Sequence, residues 1–111
     1  MKNPKVLVIG IDGATFDIIY PLIEKKELPN IAKLIKSGIA NKMKSTIPPT
    51  TALAWPSFFT GVNPGKHGLF DFTYFDMKTK EMHVNSYKDI KTYSIWDYCS
   101  FHGLTSVIVN V

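Results

Sequence analysis

Asp12 is the first residue in this chain that could do chemistry. It follows the apolar β-branched run KVLVI at positions 5–9 and is flanked by Gly10 and Gly13. A carboxylate just past a buried parallel strand lies at the edge where open α/β sheets bind their ligands. Partly dehydrated there, it stays ionised only beside a cation or several hydrogen-bond donors. A divalent metal is one such partner. The N–H groups near Ala14 and Thr15 are the other, with Asp12 capping the next helix. Position leaves both readings open.

Thr50 and Thr51 form the second candidate. They follow Pro48-Pro49 and precede the apolar stretch ALAWPSFFT, so one of them belongs at a helix N-terminus. A hydroxyl there can cap the helix. It can also act as a nucleophile toward a phosphorus centre held by the helix's first N–H groups and its positive dipole end. A threonine hydroxyl needs help to ionise. Neighbouring sequence offers no histidine for that, whereas a bound metal ion would serve.

The other reactive side chains show no such pattern. His67, His83 and His102 lack metal-ligand spacing and read as surface or turn residues. The single cysteine, Cys99, excludes an intramolecular disulfide and reads as a half-buried helix residue. GIDGAT lacks the G-x-G-x-x-G pattern, which argues against a dinucleotide site of the Rossmann kind.

The elements that must hold these groups follow from hydrophobic periodicity. Residues 5–9 predict a strand buried on both faces. ATFDIIYPLIEKKEL predicts a helix with a break or kink at Pro21. A second helix starts at Pro29 or Asn30 and stops at Gly38. Ile39–Ile47 is a weaker strand, followed by a helix ending at Thr60-Gly61. Trp55, Phe58, Phe59 and Trp96 fall at core-like helical positions. NPGKHG is a turn by composition. Phe70–Asn85 carries a hairpin signal around Asp76–Lys80. SIWDYCSFHG is a short helix stopped by Gly103, and LTSVIVNV, residues 104–111, a closing strand. This order predicts an α/β fold with a mostly parallel sheet flanked by helices, plus a small β-hairpin. The 111 residues read as one α/β piece, the first part of a larger domain.

Composition narrows the partners. No apolar run reaches the roughly 18 residues needed to cross a bilayer, and no signal-peptide pattern opens the chain, so a cytoplasmic protein without membrane contact is expected. Net charge is +4, yet all thirteen cations are lysines, scattered singly or in pairs. Sequence-reading nucleic-acid binders rely on arginine forks. The lysines are therefore read as a solvated surface, with no nucleic-acid partner.

Taken together, VLVIGIDGATFDII, LPNIAKLIKSG and above all STIPPTTALAWPSFFTGVNPGKHGLFDF resemble the type I phosphodiesterase/nucleotide pyrophosphatase family, within the alkaline phosphatase superfamily. The resemblance runs over nearly the whole chain and is densest at residues 5–13 and 46–72. It implies an alkaline-phosphatase-like N-terminal part and a hydrolase of small phosphate esters. It also implies two divalent metals, usually zinc. By the same resemblance Asp12 matches a metal ligand, and Thr51 matches a nucleophile that binds the same metal. The family's further aspartate and histidine ligands have no match in this chain, and none of the three histidines corresponds to them. Many relatives carry an asparagine just after the HG motif, where this chain has Leu69-Phe70-Asp71-Phe72. The expected chain is thus an N-terminal hydrolase piece that is inactive alone. The alternative is a non-catalytic α/β domain. In either case an open sheet edge predicts a homo-oligomer or a complementary chain that covers it.

Overall fold

The structure is a computed structural model that describes residues 5–110. The chain divides after Met43 into two compact units.

The first unit holds two helices, α1 (Phe16–Glu24) and α2 (Pro29–Ser37). Thr15 is the N-cap of α1, its hydroxyl accepting from the Asp17 N–H at 3.0 Å. Pro21 is accommodated inside α1. The helix closes with the Lys26 N–H on the Ile23 carbonyl and the Glu27 N–H on the Leu22 carbonyl, both 2.9 Å. That pair is the Schellman pattern, and it requires a left-handed residue that is normally glycine. Lys26 occupies the position instead, at φ 62°. α2 starts at Pro29, whose missing N–H costs nothing in a first turn, and ends before Gly38. Phe16 stacks on Tyr20 one turn later, centroids 5.1 Å apart. Neither helix has a fully buried residue.

The second unit carries the core. α3 (Thr51–Thr60) buries Ala52, Leu53, Pro56, Phe59 and Thr60, which recur at helical spacing along one face. α4 (Pro64–His67) is a single turn within NPGKHG, so the segment expected as a turn is helical at its centre. β1 (Thr73–Asp76) and β2 (Glu81–Val84) pair antiparallel, Thr73 opposite Val84 and Asp76 opposite Glu81. The Asp76 side chain accepts from the Lys78 N–H at 2.7 Å and shapes the hairpin loop. A 3₁₀ turn (Tyr87–Asp89) leads to α5 (Ile95–Phe101). The rings of Phe59, Tyr87 and Trp96 meet at 4.8 to 6.5 Å and join α3, the 3₁₀ turn and α5. α5 also ends in a Schellman pattern. Here Gly103 takes the left-handed position at φ 67°, and the Leu104 N–H reaches the Cys99 carbonyl at 2.8 Å.

The helices and the hairpin stand where the sequence places them; the parallel sheet does not appear. Among the described residues the sheet is the two-stranded antiparallel β1–β2 pair. Residues 5–11, 39–45 and 104–110 are neither helix nor strand, and Val111, the end of the expected closing strand, lies outside the described residues. Val6 is 85% exposed and Val107 86%. The physical reason is that a parallel strand is stabilised by its neighbours' hydrogen bonds and by helices on both faces, not by its own residues. Phe58 corrects a second expectation: it is 55% exposed, while Phe59 beside it is buried. No helix among the described residues is long and apolar enough to cross a membrane.

Candidate active site

Asp12 lies in a tight turn. The Ala14 N–H donates to the Ile11 carbonyl at 3.4 Å across Asp12 and Gly13. Gly13 takes φ 70°, a left-handed conformation that glycine meets without strain. The helix cap that Asp12 could have provided falls to Thr15, three residues on.

Thr51 is held by an irregular approach. The Ile47–Pro48 peptide is cis. The Pro48 carbonyl accepts both the Thr46 hydroxyl at 2.9 Å and the Thr50 N–H at 3.0 Å, folding the segment back on itself. Thr50 is the N-cap, with extended backbone, and its carbonyl accepts from the Leu53 and Ala54 N–H groups. Its side chain makes no cap hydrogen bond. Thr51 is therefore the first helical residue of α3, half-buried, and the capping position belongs to its neighbour. A hydroxyl at this place lies in the positive end field of a ten-residue helix.

The histidines divide. His83 stacks on Tyr74 at 5.3 Å and pairs with the Thr79 hydroxyl at 3.3 Å. His102 is the exposed C-cap of α5. Both match the surface reading. His67 does not, because its side chain is fully buried. Its Nδ1 accepts from the Leu69 N–H at 3.2 Å, and its Nε2 faces the Ser57 hydroxyl at 3.0 Å. A backbone N–H can only donate, so Nδ1 carries the lone pair and the proton sits on Nε2. His67 then donates to Ser57. That is the reverse of a general base taking a proton from serine, so Ser57 and His67 are not a nucleophilic dyad. Burial pushes the His67 pKa below the ordinary value.

A second polar cluster was also missed. Ser94, fully buried, caps α5 in a reciprocal box. Its N–H donates to Asp97 Oδ2 at 2.7 Å, and its hydroxyl reaches the same oxygen. The Tyr87 hydroxyl donates there too, at 2.8 Å, and accepts from Trp96 Nε1 at 3.0 Å. These bonds, the Ser94 hydroxyl foremost, hold the Asp97 carboxyl below the usual range. The S-x-x-D spacing of Ser94 and Asp97 is the readable trace of this box.

Asp12 belongs to the first unit and Thr51 to the second. Among the described residues no three histidine, cysteine or carboxylate side chains cluster as a metal site. Zinc centres use at least three protein ligands, so the donors described here do not fit a complete metal centre.

No curated protein and no solved structure matches the chain. A family model does, over residues 6–111, and it spans Asp12, α3 with Thr51, and the NPGKHG turn. By that match the chain belongs to the type I phosphodiesterase / nucleotide pyrophosphatase family.

Proposed function

We propose that this chain contributes the nucleophile of a phosphodiesterase/pyrophosphatase-like hydrolase. The observation that carries the reading is Thr51 at the first residue of α3, inside the segment matched by the family model. In this reading Thr51 Oγ1 gives up its proton and attacks phosphorus in line, the bond to the leaving oxygen breaks, that oxygen takes up a proton and departs as an alcohol, and the phosphoryl group left on threonine is later hydrolysed by water. The first turn of α3 favours the negative charge that gathers on the phosphoryl oxygens.

Asp12 and Thr51 are the metal donors we assign to this chain. Bound divalent metal, zinc by family resemblance, would supply Lewis acidity to such a site. The described residues do not complete its coordination, so we derive no step through it. The remaining donors come from outside them, from further chain or a second copy. In the same reading the exposed apolar segments 5–11 and 104–110, neither helix nor strand here, would each pair as a strand with partners outside the described residues. Large exposed apolar patches of this kind are covered in working proteins. The substrate class is a small phosphate ester, and the site is cytoplasmic.

That exposure equally motivates a second reading, a non-catalytic domain that self-associates. Sedimentation separates the two: a tight dimer whose association is indifferent to added metal supports self-association. The primary reading is tested by hydrolysis of a chromogenic phosphodiester with added zinc or manganese, beside Thr51→Ala. Turnover that survives this substitution would refute it.

A further inference from the structure

His67 ties together three stretches of the second unit. Its Nε2–H donates to Ser57 on α3, and its Nδ1 accepts from the Leu69 N–H. Its carbonyl accepts from the Lys91 N–H at 2.9 Å. The imidazole is wholly enclosed, so each ring nitrogen is committed to one partner in one protonation state. α3 carries Thr51 at its other end, six residues from Ser57. Six residues of helix span about 9 Å, so a tilt of about 10° at Ser57 moves Thr51 by about 1.6 Å. Misplacement of a reacting group by about 1 Å costs on the order of 10²-fold in rate.

We propose that His67 is a positioning residue for Thr51: the buried imidazole, fixed as the Nε2–H tautomer between the Leu69 amide and the Ser57 hydroxyl, sets the placement of α3 and thereby of the hydroxyl at its first residue. The proposal rests on the reading of Thr51 as the nucleophile. It also makes the placement sensitive to acid. A second ring proton at Nδ1 would face the Leu69 N–H, donor against donor, so imidazolium formation breaks that contact. The surroundings do not favour the cation. α3 carries no titratable side chain. Lys66 is adjacent in α4, and the Lys91 stem lies over Gly68. On the same stretch as Lys91, Lys88 is a further cation, and the Asp89 carboxylate is engaged by Ser86.

The test is nitrogen-edited NMR of the full chain, which needs no turnover. We expect His67 as the neutral Nε2–H tautomer, titrating below the ordinary histidine value. In Ser57→Ala we expect shifted Thr51 and Ala52 amides and at least tenfold faster hydrogen exchange at Leu53 and Ala54. Ser57→Thr, which keeps the hydroxyl, should restore both. An effect confined to residues 57 and 67–69 overturns the proposal, as does a His67 that titrates like an exposed histidine. The nucleophile reading fails separately: turnover that persists in Thr51→Ala removes it without altering these spectra.

Discussion

Two adjacent phenylalanines offer a sharp test of how the second unit is packed. Phe59 is 8% exposed and Phe58 is 55% exposed. Phe59 meets Trp96 at 4.8 Å and Tyr87 at 6.5 Å, so its removal opens a void among three elements. A buried Phe→Ala change costs about 3–5 kcal/mol, and this ring lies within that class. Phe58 keeps one edge-on contact, with Trp55 at 6.0 Å. Partial burial and one aromatic pair put its loss at about 1 kcal/mol. Urea unfolding followed by far-UV circular dichroism reads the difference. With a slope of about 2 kcal/mol per molar urea, Phe59→Ala should lower the midpoint by about 2 M and Phe58→Ala by about 0.5 M. Domains of this size have only about 5–15 kcal/mol in total, so the first variant stands close to unfolding in water. Equal shifts, or a larger shift for Phe58→Ala, would show that α3 does not present the face described above.

Three further outcomes follow from the same geometry. Replacing Lys26 by glycine relieves a left-handed lysine at φ 62° and should stabilise the end of α1 by about 1 kcal/mol, read as roughly fivefold slower exchange at the Glu27 amide. Ser94→Ala removes the cap of α5 and should cost about 1–2 kcal/mol of stability, read from the shift of the urea midpoint, whereas Ser100→Ala, on the exposed side of the same helix, should cost under about 0.5 kcal/mol. The Asp97 carboxyl titrates below its ordinary 3.8, so its contribution to stability is complete above that value and is lost as pH falls through the lower folded value. Acid titration monitored by tryptophan fluorescence should therefore show a shallower acid limb in Asp97→Asn than in the parent.

Local patterning carried most of the legible structure. Apolar spacing placed α2 and α3, the Asp76–Lys80 loop announced the hairpin, and Gly103 marked the end of α5, each through interactions within a few residues. The parallel sheet was not realised at 5–11 and 104–110, because strand formation depends on partners distant in sequence. Within α3, periodicity could not divide Phe58 from Phe59, since the buried face is set by what packs on it: Tyr87 and Trp96, some thirty residues later. His67 was misread for a related reason. A histidine in a Pro-Gly turn is usually solvated, and this one is buried with its ring nitrogens on Ser57, ten residues before it, and on the Leu69 amide. At the candidate site, the residue types at 12 and 51 and the helix start were readable, while the choice of Thr15 and Thr50 as caps required the backbone geometry.

The most direct test of the functional account is release of the aryl alcohol from a chromogenic phosphodiester, with zinc or manganese, by the chain and by Thr51→Ala. The account predicts no release by the chain alone, because its donors do not complete a metal centre. It further predicts that any preparation supplied with the missing donors loses its activity when Thr51 is alanine. Release that persists without the Thr51 hydroxyl contradicts the assignment of the nucleophile.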